Sequence, residues 1–117
     1  MIFEKEQGIQ RVIEESVPGK QVTLAHIIAA PVPELYENLG LENIGAIGIL
    51  TLTPYETAMI AADYAVKTAS VEIGFLDRFT GSVVIAGDVE NVETALKNVN
   101  AMLEEKLGFI ITTVTKT

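Results

Sequence analysis

The fold is decided by residues 46–56, AIGILTLTPYE, which pass from an apolar, β-branched run into a segment containing proline. The apolar run over residues 46–53 predicts a buried β-strand. Thr53, Pro54 and Glu56 match the capping hydroxyl, first-turn proline and third-position glutamate of a capping box. The sequence therefore predicts a strand that runs directly into a helix.

The helix predicted after this strand has a face of small and apolar residues. Its members are Ala58, Ala62, Ala65 and Ala69, joined by Met59 and Val66. Residues at this spacing share one side of a helix, so this side is expected to pack closely on a sheet. Asp63 and Lys67 are four residues apart and are expected to point outward as a pair.

Two further strands are predicted over residues 71–76 and 82–86. The connection between them is Asp77, Arg78, Phe79, Thr80 and Gly81, and its length and glycine are typical of a β-hairpin with a longer loop. The two strands are therefore expected to pair antiparallel.

A second long helix and a last strand complete the pattern. Asp88 is the predicted N-cap and Gly108 the predicted stop. The apolar stripe of this helix is Val92, Leu96, Val99, Leu103 and Leu107. With a final strand over residues 109–115, the order from residue 46 is βαββαβ, which predicts a ferredoxin-like α+β fold with two helices on one face of an antiparallel sheet.

The residues before this core predict an extension of the same fold. Residues 21–29 form an apolar strand pattern, and Pro31 and Pro33 precede a short helix that Gly40 is expected to close. Residues 1–16 are interpreted as an N-terminal extension. Residues 17–117 are predicted to form a single domain, as the chain length favours.

Composition excludes several classes of function. With 49% hydrophobic and 21% charged residues among 117, the chain is expected to bury surface against partners. A net charge of −8 disfavours nucleic acid and anionic membranes. There is no cysteine for disulfides or thiol chemistry, and no apolar run reaches the ~20 residues of a membrane span. The chain is expected to be cytoplasmic.

The residues that carry chemistry in enzymes are sparse. His26 is the only histidine and lies in an apolar strand, where a structural role is favoured over catalysis. The carboxylates fall mostly on the outer faces of the two long helices. Gly45 and Gly48 lie near the start of a strand and do not precede a helix, so they form no phosphate-binding loop. No metal, cofactor or enzymatic activity is predicted.

Three separated blocks of sequence carry a resemblance to a known family. They are residues 17–26, VPGKQVTLAH, residues 46–54, AIGILTLTP, and residues 73–81, IGFLDRFTG. Together they resemble the circularly permuted shell proteins of bacterial microcompartments, of the ethanolamine- and propanediol-utilisation type. The likeness extends from about residue 12 to residue 117, and three blocks in order are more specific than one short motif.

The resemblance implies a cyclic homohexamer that tiles with other shell proteins into a layer around aldehyde-producing enzymes. Passage of small metabolites is expected at an axial pore, and encapsulated enzymes are further expected partners. The alternative is an oligomeric ferredoxin-like regulatory or small-ligand-binding protein, because one fold hosts many functions.

The resemblance also suggests positions for the functional residues. Lys67 matches a lysine at the edge between hexamers, with a plain surface pair with Asp63 as the alternative. The loop Asp77, Arg78, Phe79, Thr80 and Gly81 matches the loop nearest the six-fold axis and is the candidate pore rim; the alternative is an ordinary hairpin turn. Gly45 is a candidate hinge at which a hexamer bends.

The N-terminal segment departs from the propanediol-type relatives. In those relatives this segment forms a small barrel over the axis, with an aromatic residue before the VPGK block. Here Glu14, Glu15 and Ser16 precede it, and Val12 and Ile13 are candidates for the barrel interior. Six copies of two glutamates would repel one another around an axis, so the sequence leaves an absent, open or polymorphic barrel as alternatives.

Overall fold

The computed structural model describes residues 2–6, 8–10 and 19–117. It contains three helices and seven strands in the described residues. In chain order they are β1 (Ile2–Glu6), β2 (Gly8–Gln10), β3 (Gln21–Ala29), α1 (Pro33–Leu39), β4 (Ala46–Thr53), α2 (Thr57–Thr68), β5 (Glu72–Asp77), β6 (Ser82–Gly87), α3 (Val89–Leu107) and β7 (Thr115–Lys116). The predicted α+β fold class is confirmed.

The main sheet has five strands in the order β5-β6-β4-β3-β7. Strands β3 and β4, β4 and β6, and β5 and β6 pair antiparallel, whereas β7 runs parallel to β3. In a ferredoxin-like sheet the strand beside the first core strand comes from the end of the chain. Here β3, which precedes the core in sequence, lies in that position beside β4, which is the arrangement expected after a circular permutation.

The last strand is shorter than predicted. The sequence suggested residues 109–115, but the only pairings of this segment are a bridge between Ile110 and Gln21 and the two residues of β7. Strand β3 has a β-bulge between Val22 and Leu24, opposite the missing part, and a bulge disrupts the ladder locally. The carbonyl of Thr112 instead accepts a hydrogen bond from Asn100 Nδ2 at 2.9 Å.

Helix α2 begins later than the capping-box pattern predicted. Thr53 is still part of β4 and pairs with Gln21, and its hydroxyl donates to the Gly19 carbonyl at 3.3 Å. The Thr53–Pro54 peptide bond is cis, and residue 56 precedes the helix without a side-chain capping bond. The capping prediction was therefore wrong, because the threonine hydroxyl it needed bonds the end of β4 to the residues just before β3.

The packed face of α2 is also rotated relative to the prediction. The buried alanines are Ala58, Ala61, Ala62 and Ala65. Met59 and Val66, which were predicted to join this face, are 45% and 44% exposed. Asp63 and Lys67 point outward as predicted. The small-residue face brings α2 close to the sheet, but two large apolar side chains remain outside it.

Helix α3 follows its sequence signals closely. The Asp88 carboxylate accepts a hydrogen bond from the Asn91 backbone N–H at 2.7 Å, and Gly108 ends the helix with a left-handed φ of 71°. Val92, Leu96, Val99 and Leu103 are buried, while Leu107 is only half-buried. Both long helices cover one face of the sheet and enclose a single hydrophobic core.

At the N-terminus, β1 and β2 form a separate antiparallel pair. The candidate barrel residues Val12, Ile13, Glu14, Glu15 and Ser16 lie outside the described residues. The proposed boundary between an extension over residues 1–16 and a domain over residues 17–117 stays a prediction.

Candidate functional site

The loop between β5 and β6 is held by a single carboxylate. Asp77 Oδ1 accepts a hydrogen bond from the Phe79 backbone N–H at 2.9 Å, and Oδ2 accepts one from the Thr80 hydroxyl at 2.9 Å. The backbone N–H of Gly81 donates to the Asp77 carbonyl at 2.9 Å. Gly81 has a φ of 77°, and a Cβ there would clash with the Leu52 carbonyl oxygen. These contacts give the loop one defined shape.

The tip of this loop presents a cation and an aromatic ring to solvent. The Arg78 guanidinium lies 4.8 Å from the centroid of the Phe79 ring, within the range of a cation–π contact. Phe79 is 74% exposed. Two hydrogen bonds lower the pKa of Asp77, the larger effect coming from the Phe79 N–H and the smaller from the Thr80 hydroxyl. This carboxylate therefore stays ionised.

Lys67 lies in the last turn of α2, at the opposite end of β4 from that loop. Its Nζ is 2.8 Å from Asp63 Oδ2, and the two side chains are 69% and 59% exposed. Such a pair contributes little to stability, about 0.3–0.5 kcal/mol. The lysine is therefore held loosely and is available for another contact.

Gly45 lies immediately before β4 with a φ of 123°, a conformation that side chains strongly disfavour. A Cβ at this position would lie 3.4 Å from the Asp88 Cα. Gly45 also accepts a hydrogen bond at its carbonyl from the Ala30 N–H at 2.9 Å. Through this hydrogen bond, Gly45 links the connection between β3 and α1 to the start of β4.

His26 has the structural role that its sequence context favoured. Its Nδ1 and Nε2 lie 2.6 Å and 2.8 Å from the hydroxyl oxygens of Thr115 and Thr117. Both ring nitrogens therefore have partners, and they fix the C-terminal strand to β3. Among the described residues, no group of three histidine, cysteine or acidic side chains is placed to hold a metal ion.

One face of the sheet is left partly uncovered, and sequence reasoning did not identify it. A Cβ at Gly48 would lie 2.7 Å from Val92 of α3, so the alternate residues Ile47, Ile49 and Thr51 face away from the long helices. Tyr36 and Ile47 are buried outside the main core, and Leu41 packs on Gly74, so α1 and the segment after it cover part of this side.

The rest of this side forms an apolar surface, the open sheet face. Register partners across the sheet place the following apolar side chains on it: Leu24, Ile49, Val84 and Phe75. His26, the partner of Ile49, and Thr51, the partner of Leu24, lie on the same side. Leu24 is 40% and Phe75 46% exposed. The signal in the sequence was the run of apolar residues and glycine over positions 46–50 of β4, since a strand with one solvated face normally alternates with polar residues.

A second apolar surface, the α2–β5 flank, lies on the helix side of the edge strand. It consists of Met59 and Val66 on α2 with Ile73 and Leu76 on β5, each 40% exposed or more. Val66 lies beside the start of β5, where it lines a groove with Val71 and Glu72. The domain therefore has two separate apolar surfaces, one on each side of its sheet. No helix in the part of the chain that the structure describes is long and apolar enough to cross a membrane.

Comparison with known proteins agrees with this fold. Residues 46–116 match the family model of the BMC domain. The chain is 55% identical to the bacterial microcompartment shell protein CutR of Streptococcus intermedius over 92% of its own length and 93% of CutR. It is 54% identical to the shell protein PduU of Salmonella typhimurium over 98% of its length and all of PduU.

Solved structures give the same result in three dimensions. A CutR structure described as a flat hexamer superposes with a TM-score of 0.83 at 53% identity, covering 93% of this chain and 100% of that one. The chain therefore belongs to the BMC-domain family of bacterial microcompartment shell proteins. Within this family its close homologues are the CutR, PduU and EutS shell proteins.

Proposed function

We propose that this shell protein forms cyclic hexamers that tile edge to edge within the wall of a microcompartment. The observation that carries the proposal is the pair of apolar surfaces, the open sheet face and the α2–β5 flank. A contiguous apolar surface is costly to leave in water and usually marks an interface. The flat hexamers of CutR, which shares the fold and half the sequence, support six copies as the number in the ring.

Lys67 is proposed to lie at the edge where two hexamers meet. Its weak, exposed pair with Asp63 leaves the ammonium free to form a contact with a neighbouring hexamer. Position supports the assignment as well, since Lys67 and the loop of residues 77–81 are at opposite ends of the domain. One end then faces the axis of the ring and the other its perimeter.

The loop of Asp77, Arg78, Phe79, Thr80 and Gly81 is proposed as the pore rim. Its rigidity supports this role, because a rim made of six copies needs a fixed shape to give a defined opening. Six Arg78 side chains would then line the opening with positive charge, in a protein whose net charge is −8. Small metabolites are proposed to pass there.

Gly45 is proposed as the site where a hexamer departs from flatness. Gly45 has a positive φ and lies close to the start of α3. Its carbonyl accepts the Ala30 N–H, so it links the β3–α1 connection to the core. A small change in backbone angle at this residue would tilt one part of the domain against the other.

The proposed role is structural rather than enzymatic. Both ring nitrogens of the single histidine, His26, hydrogen-bond to threonine hydroxyls. The Asp77 carboxylate accepts hydrogen bonds from its own loop. Other shell proteins are the proposed partners at the hexamer edge, and encapsulated enzymes are proposed partners on one face of the wall. The proposed location is the microcompartment shell in the cytoplasm.

The test is light scattering of the purified chain followed by electron microscopy at increasing concentration. Six-fold rings that associate into sheets, tubes or closed particles without any ligand are expected. A persistent monomer or dimer would contradict the proposal. A saturable thermal shift with a small metabolite, in the absence of tiling, would favour the regulatory alternative.

A further inference from the structure

We infer that the groove between α3 and residues 111–114 binds a short, extended peptide segment of a partner protein. Residues 111–114 form one wall of this groove, and four residues of α3 form the other: Lys97, Asn100, Ala101 and Glu104. The groove shares no residue with the loop of residues 77–81, with Lys67 or with the two apolar surfaces. The inference therefore goes beyond the proposed assembly and does not depend on the hexamer.

A buried acceptor without a donor lies in the wall of this groove. Asn100 is only 6% exposed, and its Nδ2 donates to the Thr112 carbonyl at 2.9 Å. Among the described residues, its Oδ1 has no hydrogen-bond partner. Turning the amide over would place its oxygen against the Thr112 carbonyl, so the Nδ2 bond fixes its orientation. A buried acceptor without a partner costs free energy, which a ligand N–H donated to Oδ1 would recover.

The wall opposite Asn100 is a segment outside the sheet ladder. In the part of the chain that the structure describes, residues 111–114 have no strand partner, because the pairing with β3 is limited to the bridge at Ile110 and to β7. A segment with unpaired backbone groups can bind an extended peptide as it would bind another strand. Since no ladder bond has to break, this wall can also shift enough for a ligand N–H to reach the buried Oδ1.

The two ends of the groove carry opposite charge. At one end the ammonium groups of Lys97 and Lys116 share the Glu93 carboxylate, at 2.7 Å and 3.7 Å, which leaves an excess of positive charge. The exposed Glu104 lies at the other end, two helical turns or about 10 Å further along α3. About three residues of extended chain span this distance. The charges therefore fit a peptide with an acidic residue near Lys97 and a basic residue near Glu104.

Between these ends the groove is apolar. Ala101 is small and leaves room beside α3, and Ile111 and Val114 contribute partly buried apolar side chains. A matching peptide has a small or apolar side chain between its two charges, and its backbone N–H groups supply the donor that Asn100 lacks. A simple ion would satisfy one charge but neither the buried acceptor nor the apolar walls.

Fluorescence anisotropy with a labelled, capped peptide of sequence EAVK tests the inference on the purified chain. Saturable binding is expected. The same peptide, methylated on its two central backbone nitrogens, cannot donate to Asn100 Oδ1 and is expected to bind about tenfold more weakly. This comparison leaves the buried asparagine unchanged, so the fold is not at risk. Equal binding of the two peptides, or no saturable binding of the first, would overturn the inference.

A matched pair of variants locates the site on the protein. Glu104→Gln removes the charge at one end of the groove, whereas Glu105→Gln removes a neighbouring exposed charge that does not line it. Only Glu104→Gln is expected to weaken binding, by about threefold to fivefold. Equal weakening by both variants would indicate non-specific attraction to an acidic surface and would overturn the inference.

Two further measurements separate this inference from its alternatives. A flexible ω-amino acid with charges about 10 Å apart is expected to compete poorly with the peptide, because it has no backbone N–H for Asn100. Competition as strong as that of unlabelled peptide would indicate a small-molecule site and overturn the peptide assignment. Light scattering on the same samples reports the oligomeric state: peptide binding without hexamers would contradict the proposed function and leave this inference in place.

Discussion

The Asp77 carboxylate and the Phe79 backbone N–H are joined by a hydrogen bond of 2.9 Å across the tip of the β5–β6 loop. The second oxygen of the same carboxylate accepts the Thr80 hydroxyl. One ionised side chain thus orders the exposed segment that we propose as the pore rim, with Arg78 resting on the Phe79 ring.

The order of the loop is expected to depend on the charge of Asp77. Its pKa is lowered, mainly by the Phe79 N–H, so its contribution is complete above the ordinary aspartate range and is lost as the pH falls through the lowered pKa. Amide hydrogen exchange at Phe79 and Thr80, measured relative to the rate of an unfolded chain at the same pH, should therefore stay slow at mildly acid pH and accelerate only in stronger acid. Asp77→Ala should accelerate it at neutral pH, whereas Asp77→Asn, which keeps an acceptor, should do so less. Equal exchange in all three proteins would contradict the role of Asp77.

Arg78→Ala and Phe79→Ala are expected to change the leakage of a small aldehyde from assembled shells, because both side chains lie at the exposed tip of the loop. Lys106→Ala removes another exposed positive charge, on α3, and is the control. Leakage is measured by the release of aldehyde from particles that contain an aldehyde-producing enzyme. The same leakage across the whole series would indicate that the loop is a plain turn.

Lys67→Ala and Lys67→Glu should leave hexamers intact and impair their association into sheets. The control is Lys97→Ala, since Lys97 pairs with Glu93 at 2.7 Å in the same four-residue geometry on α3. Both alanine variants lose one weak surface pair, so their thermal stability should be similar. Electron microscopy then compares sheet formation by the Lys67 and Lys97 variants. Sheets that form normally with Lys67→Glu would reject the edge role.

Gly45→Val should destabilise the domain by about 1–2 kcal/mol, because a β-branched residue cannot adopt a positive φ without strain. It should also alter the shape of the hexamer if Gly45 is a hinge. Gly19→Val is the control, since a Cβ there meets nothing within 4 Å. Thermal denaturation measures the first effect and electron microscopy the second. An unchanged hexamer shape with Gly45→Val would remove Gly45 as the site of bending.

The sequence predicted elements well where the signal is local. The limits of β4, the Asp88 cap and the Gly108 stop of α3, and the Gly40 stop of α1 all agree with the structure. Caps and glycine stops depend on hydrogen bonds within a few residues, so neighbouring residues suffice to specify them. The prediction at Thr53 was wrong because its hydroxyl bonds to Gly19, which is 34 positions away.

The candidate surfaces were harder to predict. The hairpin loop and the Asp63–Lys67 pair could be placed from spacing alone. The open sheet face could not, because an apolar strand looks the same in sequence whether its two sides are covered by its own chain or by another. The exposed side of α2 was misassigned for a similar reason: Met59 and Val66 are apolar but lie outside the alanine face.

By itself the sequence determined most elements of residues 19–117, their order and the apolar content that a single domain of this size cannot fully bury. The tertiary structure alone decided that β3 lies beside β4 in place of a strand from the chain end, and that the surplus apolar side chains gather on two opposite sides of the sheet. The physical reason is that hydrogen-bond patterns of helices and turns are local, whereas strand neighbours and exposed surfaces depend on contacts between residues far apart in the chain.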